Sequence, residues 1–308
     1  MLYSVATNGL QTLYAARKLG IPVVFRSIDI LHRLVKYPIL RFPTRILEGK
    51  IYSKVDEILA ITPNHARYVI SMGAPESRVK LLLLPIDMKI FHQSQENSEL
   101  RQKWGLSAKD HIIVFIGTLF EFSGLDLFIR QFPNIAQQIP EAKLLIVGDG
   151  PQRLKLKQII AELGLEKQVI MAGLQPYSTM PSYISLASVC INPFLNTEAT
   201  RDIFPGKIIQ YLACGKATVA TPLLGITALL PRNSNAIVYA DNTTEMAEEV
   251  INLLKSPEQR IKLEQAGLDY VKQTHDQQHI AAQLEKELLA IISKKTGRKM
   301  PAVRSNRQ

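Results

Sequence analysis

The chain has 308 residues, 46% of them hydrophobic and 21% charged, a globular composition that excludes fibrous and intrinsically disordered classes. Two cysteines, Cys190 and Cys214, are too few for a disulfide framework and lack metal-ligand spacing, so both are expected to be buried reduced thiols. The net charge of +10 is unevenly placed: residues 1–92 carry +7, residues 294–308 carry +6, and residues 93–293 carry −3.

Apolar runs in chain order predict strands at Leu2–Ala6, Pro22–Phe25, Glu57–Ile61, Val79–Leu84, Ile112–Gly117, Lys143–Val147, Gln168–Met171, Ser188–Asn192, Ala217–Ala220 and Ala236–Tyr239. Helical periodicity falls between them at Gln11–Leu19, Gln152–Leu163 and Lys207–Ala213, and again over 243–255, 257–274 and 277–292. Strand-helix alternation of this kind predicts an α/β fold with mostly parallel sheets and helices on both faces. The polar stretch around Gln93–Ser98 reads as a linker. The expected organisation is a first lobe at 1–91, a linker at 92–110, a second lobe at 111–255, helices over 256–292 and a basic disordered tail over 293–308. Only four candidate strands fall in the first lobe.

Three segments carry chemistry. Lys143–Pro151 is a buried strand running into Gly148-Asp149-Gly150 and then Pro151, and Ile112–Leu119 is a second strand that ends at Gly117-Thr118. Glycines at such corners let a ligand approach the backbone, and helix N-termini attract phosphate. The third, Asn192–Gly215, enters a helix near Gly206, with Arg201 and Lys207 bracketing its start. Cations beside exposed amide donors make a diphosphate site. Gln210 lies three positions after Lys207, on the same helix face, where an amide could hydrogen-bond ribose hydroxyls.

Leu84-Pro-Ile-Asp87 with Phe91, Val147–Pro151, Gly173, Phe204–Lys216 and Ala220-Thr-Pro222 together resemble the family-4 retaining glycosyltransferases of GT-B fold, in order and spacing. The resemblance implies two Rossmann-like lobes facing across a cleft, with no metal or other cofactor. The C-terminal lobe would bind a nucleotide-diphosphate sugar, with Gly117, Thr118, Phe204 and Gly206 in the donor site and Gly173 and Leu174 bordering the base. The N-terminal lobe would bind the acceptor, a polysaccharide, lipid-linked or other glycan, and the final helix would return to that lobe. Where the family has two glutamates, this chain has Asp202, expected to hold the donor sugar, and Gln210. The family's diphosphate cations are replaced by Thr118 and Ser123, leaving Arg201 and Lys207 for that work. The family's His-Asp pair reads Ile28-Asp29, so Asp29 is the acid-base candidate on the acceptor side. Further strands and a glycine-rich loop would precede Tyr3–Asn8 in the family. The first lobe is therefore expected to be incomplete, with a complementing N-terminal segment as a partner.

The six histidines form no compact metal pattern; His275 and His279 are expected on a helix surface. Trp104 is expected to pack the linker on a lobe. The run His32–Phe42 mixes basic, aromatic and apolar residues, which suits either an anionic membrane surface or a helix packed on the lobe. Nucleic acid is set aside as a partner, because no recognition motif is present and aromatic content is only 7%. No apolar run reaches the roughly 18 residues of a membrane-spanning helix, and Met1–Leu10 lacks the regions of a signal peptide. The expected location is the cytoplasm, at the inner face of the membrane if lipid is the acceptor. The leading expectation is a glycosyltransferase. The alternative is a non-catalytic nucleotide-sugar-binding subunit or an inactive remnant.

Overall fold

In the computed structural model of the chain, residues 1–3 and 8–297 are described. The strand expected at Leu2–Ala6 falls largely outside them, although Leu2 bridges Phe25 in parallel. The disordered tail expected from residue 293 also falls largely outside them, and its first residues are helical.

The first lobe runs α1 (Gly9–Lys18), β1 (Val24–Ser27), α2 (Leu31–Leu34), α3 (Pro38–Tyr52), β2 (Glu57–Ala60), α4 (Pro63–Ser71) and β3 (Val79–Leu81). Its strands form a parallel three-stranded sheet in the order β1-β2-β3. Every residue of β1 and β2 is buried, as expected of a parallel sheet covered on both faces. One face packs Phe25 and Ile58 with Leu13, Ile51 and Tyr52 of α1 and α3.

The connection is not featureless. It contains α5 (Ser98–Lys103), which begins where the Asn97 side chain accepts the Leu100 amide, an N-cap that the polar composition conceals. Trp104 then closes it onto the second lobe by donating to the Tyr183 hydroxyl at 3.3 Å.

The second lobe continues β4 (His111–Ile116), α6 (Leu125–Gln138), β5 (Ala142–Val147), α7 (Arg153–Glu162), β6 (Val169–Gly173), α8 (Met180–Ser185), β7 (Val189–Asn192), α9 (Gly206–Ala213), β8 (Thr218–Ala220), α10 (Leu224–Thr227), β9 (Val238–Tyr239) and α11 (Thr243–Lys255). All pairings are parallel, in the order β6-β5-β4-β7-β8-β9. The chain moves outward from β4 to β6 and then returns to the other side of β4. The carboxyl ends of β4 and β7 therefore define a topological switch point, where open α/β sheets take ligands.

Two helices end the fold: α12 (Pro257–Thr274) and α13 (Gln277–Thr296). The two part ways. Helix α12 stays on the second lobe against α9, with Gly267 lying close to Leu212. Helix α13 covers the other face of the small sheet, where Ile280 and Ile291 pack with Val24, Leu59 and Leu82. The turn between them is pinned to the outgoing strand segment. Ile86 donates to the His275 carbonyl at 2.8 Å, and Gln277 donates to the Ile86 carbonyl at 3.0 Å. His275 is wholly buried there, not on a helix surface. Its Nδ1 lies 2.7 Å from the Leu84 carbonyl, which can only accept, so that nitrogen carries the proton. Burial also holds the ring's pKa below the usual histidine value. His279 is exposed on the next helix.

Candidate functional site

The site begins at the switch point. Gly117 and Gly148 follow β4 and β5 with φ of +142° and +143°, a region closed to most side chains. A Cβ on Gly148 would lie 2.0 Å from the Gly117 carbonyl oxygen, so two bare backbones are needed for the loops to meet. Beside them opens a cavity of about 160 Å³ lined by Gly117, Thr118, Gly148, Asp149, Leu174 and Met180, among others. Leu174 is 80% exposed at its rim, and the neighbouring Gly173 has open space around it. The sequence thus places Gly117, Thr118 and Leu174 around one hollow.

Lys207 enters from α9. Its ammonium does not point into solvent from the helix start. It turns inward, 3.9 Å from the Phe115 ring centroid and 4.4 Å from that of Phe194, and a Cβ on Gly117 would sit 2.6 Å from its Nζ. The residue as a whole is half-buried, with its ammonium held against the two rings. Desolvation pulls its pKa down to about 7, the direction expected when burial penalises a cation. No carboxylate offsets this. Asp149 turns to Arg153 at 2.8 Å and to the Gly150 amide at 2.7 Å. Asp202 turns to Arg33 and Arg201. The Tyr211 hydroxyl is taken by the Ile116 amide at 2.8 Å.

The loop from Pro193 to Pro205 lies over this corner. Arg201 is exposed and pairs with Asp202 at 3.2 Å. Asp202 also accepts Arg33 of α2 at 2.5 Å, from the opposite lobe. Burial alone would raise the Asp202 pKa, but the hydrogen bonds from Arg33 and Arg201 outweigh it and hold the carboxyl below its usual range. Gly206 is exposed at the start of α9 with room for a ligand against its backbone. Gln210 is half-exposed and reaches the Tyr177 hydroxyl at 3.3 Å. Phe204 is 4% exposed and its ring stacks on His275 at 5.9 Å, so its side chain braces the loop against the interlobe turn.

In the first lobe, burial pushes the Asp29 carboxyl up from its ordinary pKa. Sequence reasoning missed three neighbours. His65 on α4 is fully buried, with neither ring nitrogen well hydrogen-bonded. Burial lowers its pKa to about 4, although the nearby Asp202 and the Ser27 backbone pull the other way. Arg33 is the second. Glu48, the third, is buried and receives the Leu31 amide at 2.9 Å. The bonds from His32 to Glu48 and from Arg33 to Asp202 span 16 and 169 residues of sequence, so no local pattern announces them. Both cysteines are free and buried. Among the described residues, no three His, Cys, Asp or Glu side chains gather as a metal site, and no helix is long and apolar enough to cross a membrane.

The fold that carries this site is of the GT-B type. HepE of Anabaena, solved in complex with UDP and glucose, superimposes with a TM-score of 0.77 at 19% identity, covering 91% of this chain and 74% of that one. Residues 110–256 match the model of the family described as Glycosyl transferases group 1. Similar proteins include the alpha-D-kanosaminyltransferase of Streptomyces kanamyceticus, 27% identical over 54% of this chain and 42% of that protein. The N-acetyl-alpha-D-glucosaminyl L-malate synthase of Bacillus anthracis is 21% identical over 75% of this chain and 58% of its own length. The chain thus spans about half the length of these relatives.

Proposed function

We propose that this protein transfers a sugar from a nucleotide-diphosphate sugar to an acceptor with retention of anomeric configuration and without a metal. The observation that carries the reading is the enclosed, uncompensated Lys207 ammonium at the switch point, beside the Gly117–Gly148 corner and the open N-terminus of α9. A diphosphate is the group that such a site lacks. As the leaving diphosphate gains charge, Lys207, Arg201 and the amides near Gly206 would stabilise it in place, without reorganisation. Leu174 and Gly173 would border the base, Gln210 would reach ribose, and Asp202 would accept donor-sugar hydroxyls. Asp29, whose pKa burial raises, would exchange a proton with the acceptor. The test is a thermal-shift screen of UDP-, GDP- and ADP-sugars, followed by transfer of radiolabelled sugar to a membrane-lipid extract. A ligand that binds only the folded state raises the melting temperature. Absence of any shift across all three bases would overturn the donor assignment.

The acceptor reading rests on the N-terminal half of α3. Ile39 is 83% exposed and Phe42 70%, with Tyr37, Leu40 and Ile46 also exposed and Lys36, Arg41 and Arg45 among them. The C-terminal half, with Glu48, Ile51 and Tyr52, is buried in the lobe. The two uses of the run His32–Phe42 and its extension are thus divided between the halves of one helix. An apolar patch ringed by cations suits an anionic bilayer, and a lipid-linked acceptor at the cytoplasmic face of a membrane follows.

A further inference from the structure

The single helical turn α2 is held with unusual care for so short an element. Its first amide, Leu31, donates to Glu48 Oε1 at 2.9 Å, and His32 Nδ1 lies 2.6 Å from Glu48 Oε2. The Tyr52 and Tyr68 hydroxyls both donate to the same carboxylate at 3.2 Å. A fully buried carboxylate with four donors is rigid, and removing one partner from such a cluster is costly. The residue that follows His32 is Arg33, whose guanidinium lies 5.6 Å from the centroid of the Tyr68 ring. It projects across the cleft and donates Nη1 to Asp202 at 2.5 Å and to the Glu198 carbonyl at 3.2 Å. Among the described residues, the ion pairs of Arg33 with Asp202 and Glu198 are the only ones that join the two lobes. Arg33 Nε is buried with no hydrogen-bond partner.

We propose that Arg33 is a positioning residue for transfer. It draws Asp202 and the 193–205 loop onto the acceptor lobe, so that the carboxylate and the lobe spacing are set before chemistry, and the Glu48 cluster serves to aim it. A carboxylate has about four lone-pair sites. Asp202 can therefore keep Arg33 and Arg201 and still accept a sugar hydroxyl. The inference rests on the donor-site reading above for its catalytic part, but the latch between lobes stands on geometry alone.

The test uses the full chain with spin labels at Tyr14→Cys and Leu154→Cys, one on each lobe, 64% and 80% exposed; the native cysteines are buried. Arg33→Ala should broaden the interlabel distance distribution measured by pulsed electron paramagnetic resonance. It should lower kcat for transfer by at least about tenfold, in keeping with the cost of sub-ångström misplacement. The dissociation constant for UDP, GDP or ADP, whichever binds, should change by less than about threefold, because the phosphate and base contacts are in the other lobe. Arg33→Lys should recover part of the rate. Glu48→Gln, which leaves Arg33 in place but loosens its support, should move distance and rate in the same direction. The reversed pair Arg33→Asp with Asp202→Arg should restore the narrow distance distribution without restoring transfer, since no carboxylate would face the donor sugar. An unchanged distance distribution in Arg33→Ala, or a rate equal to the parent, overturns the proposal. Failure of the parent to bind any nucleotide would instead overturn the donor reading, and the distance measurement would still decide the latch.

Discussion

Replacing Lys207 with Met removes the ammonium but keeps an unbranched apolar chain between Phe115 and Phe194. If Lys207 holds the diphosphate by a charge-assisted hydrogen bond, the loss is about 1.5–3 kcal/mol, or roughly 10- to 150-fold in affinity. The same change should raise thermal stability, because an enclosed cation with no carboxylate beside it costs the fold. The pKa near 7 adds a second signature. Below pH 7 the ammonium is already charged in the free site, and this group imposes no pH dependence on binding. Above pH 7 the free site is largely neutral, and an anion must draw in a proton to bind. Affinity should then fall as pH rises, by up to about tenfold per unit until the pKa of the bound state is passed. Isothermal titration of UDP, GDP and ADP at pH 6.5 and 8, in buffers of different ionisation enthalpy, measures both affinity and proton uptake. The argument is refuted if the parent binds equally at both pH values with no proton uptake, or if Lys207→Met binds as the parent does.

Gly148→Ala places a Cβ 2.0 Å from the Gly117 carbonyl at a φ of +143°. Strain of about 1–3 kcal/mol should lower the urea midpoint and abolish nucleotide binding together. His65 is buried neutral, with a pKa near 4 against an ordinary 6.5. The unfolded chain protonates first as pH falls, so stability should decline between about pH 6.5 and 4, by up to about 3 kcal/mol from this residue. In urea titrations, His65→Gln should remove that part of the slope. Replacing Ile39 and Phe42 by Ser, or Arg41 and Arg45 by Gln, should each reduce sedimentation with vesicles containing phosphatidylglycerol. Vesicles of phosphatidylcholine alone should bind the parent poorly, and equal binding to both compositions would count against an electrostatic contribution.

The second lobe was legible because its signals are local. Ile112–Ile116 and Leu144–Val147 are unbroken apolar runs ending in glycine, and such runs have few alternatives to a buried parallel strand. The glycine corners and Lys207 were legible for the same reason. The direction of the Lys207 side chain was not, since it depends on Phe115 from β4 and Phe194 from the loop after β7. The packing of Phe204 was not legible either, since its ring meets His275, far along the chain. His275 itself was placed on a surface because the spacing to His279 implied one helix, whereas a turn at His275–Asp276 separates two. Glu48 and Arg33 gave no sign at all. A lone acid in a helical pattern reads as a solvated face until the tertiary fold encloses it.

The two lobes reach their stability by different routes, and this bears on how the cleft moves. The second lobe packs its sheet with helices that are near in sequence. The first lobe borrows the cover for one sheet face from α13, which the chain supplies only after crossing the cleft twice. Val24, Leu59 and Leu82 would lie bare without Ile280 and Ile291, and a parallel sheet exposed on one face is not a stable arrangement. The crossings at Leu84–Ile86 and His275–Gln277 are therefore obligatory for folding as well as for connection. Their mutual hydrogen bonds fix one edge of the cleft. Arg33 and Asp202 close it elsewhere through ion pairing rather than through a ladder of backbone bonds. A cleft tied covalently at one side can open at the other only by parting these charges together with the contacts of α4 on α10 and of Ile28 and Ile61 on the second lobe's core. That gives the carboxylate proposed to hold the donor sugar a share in the control over access.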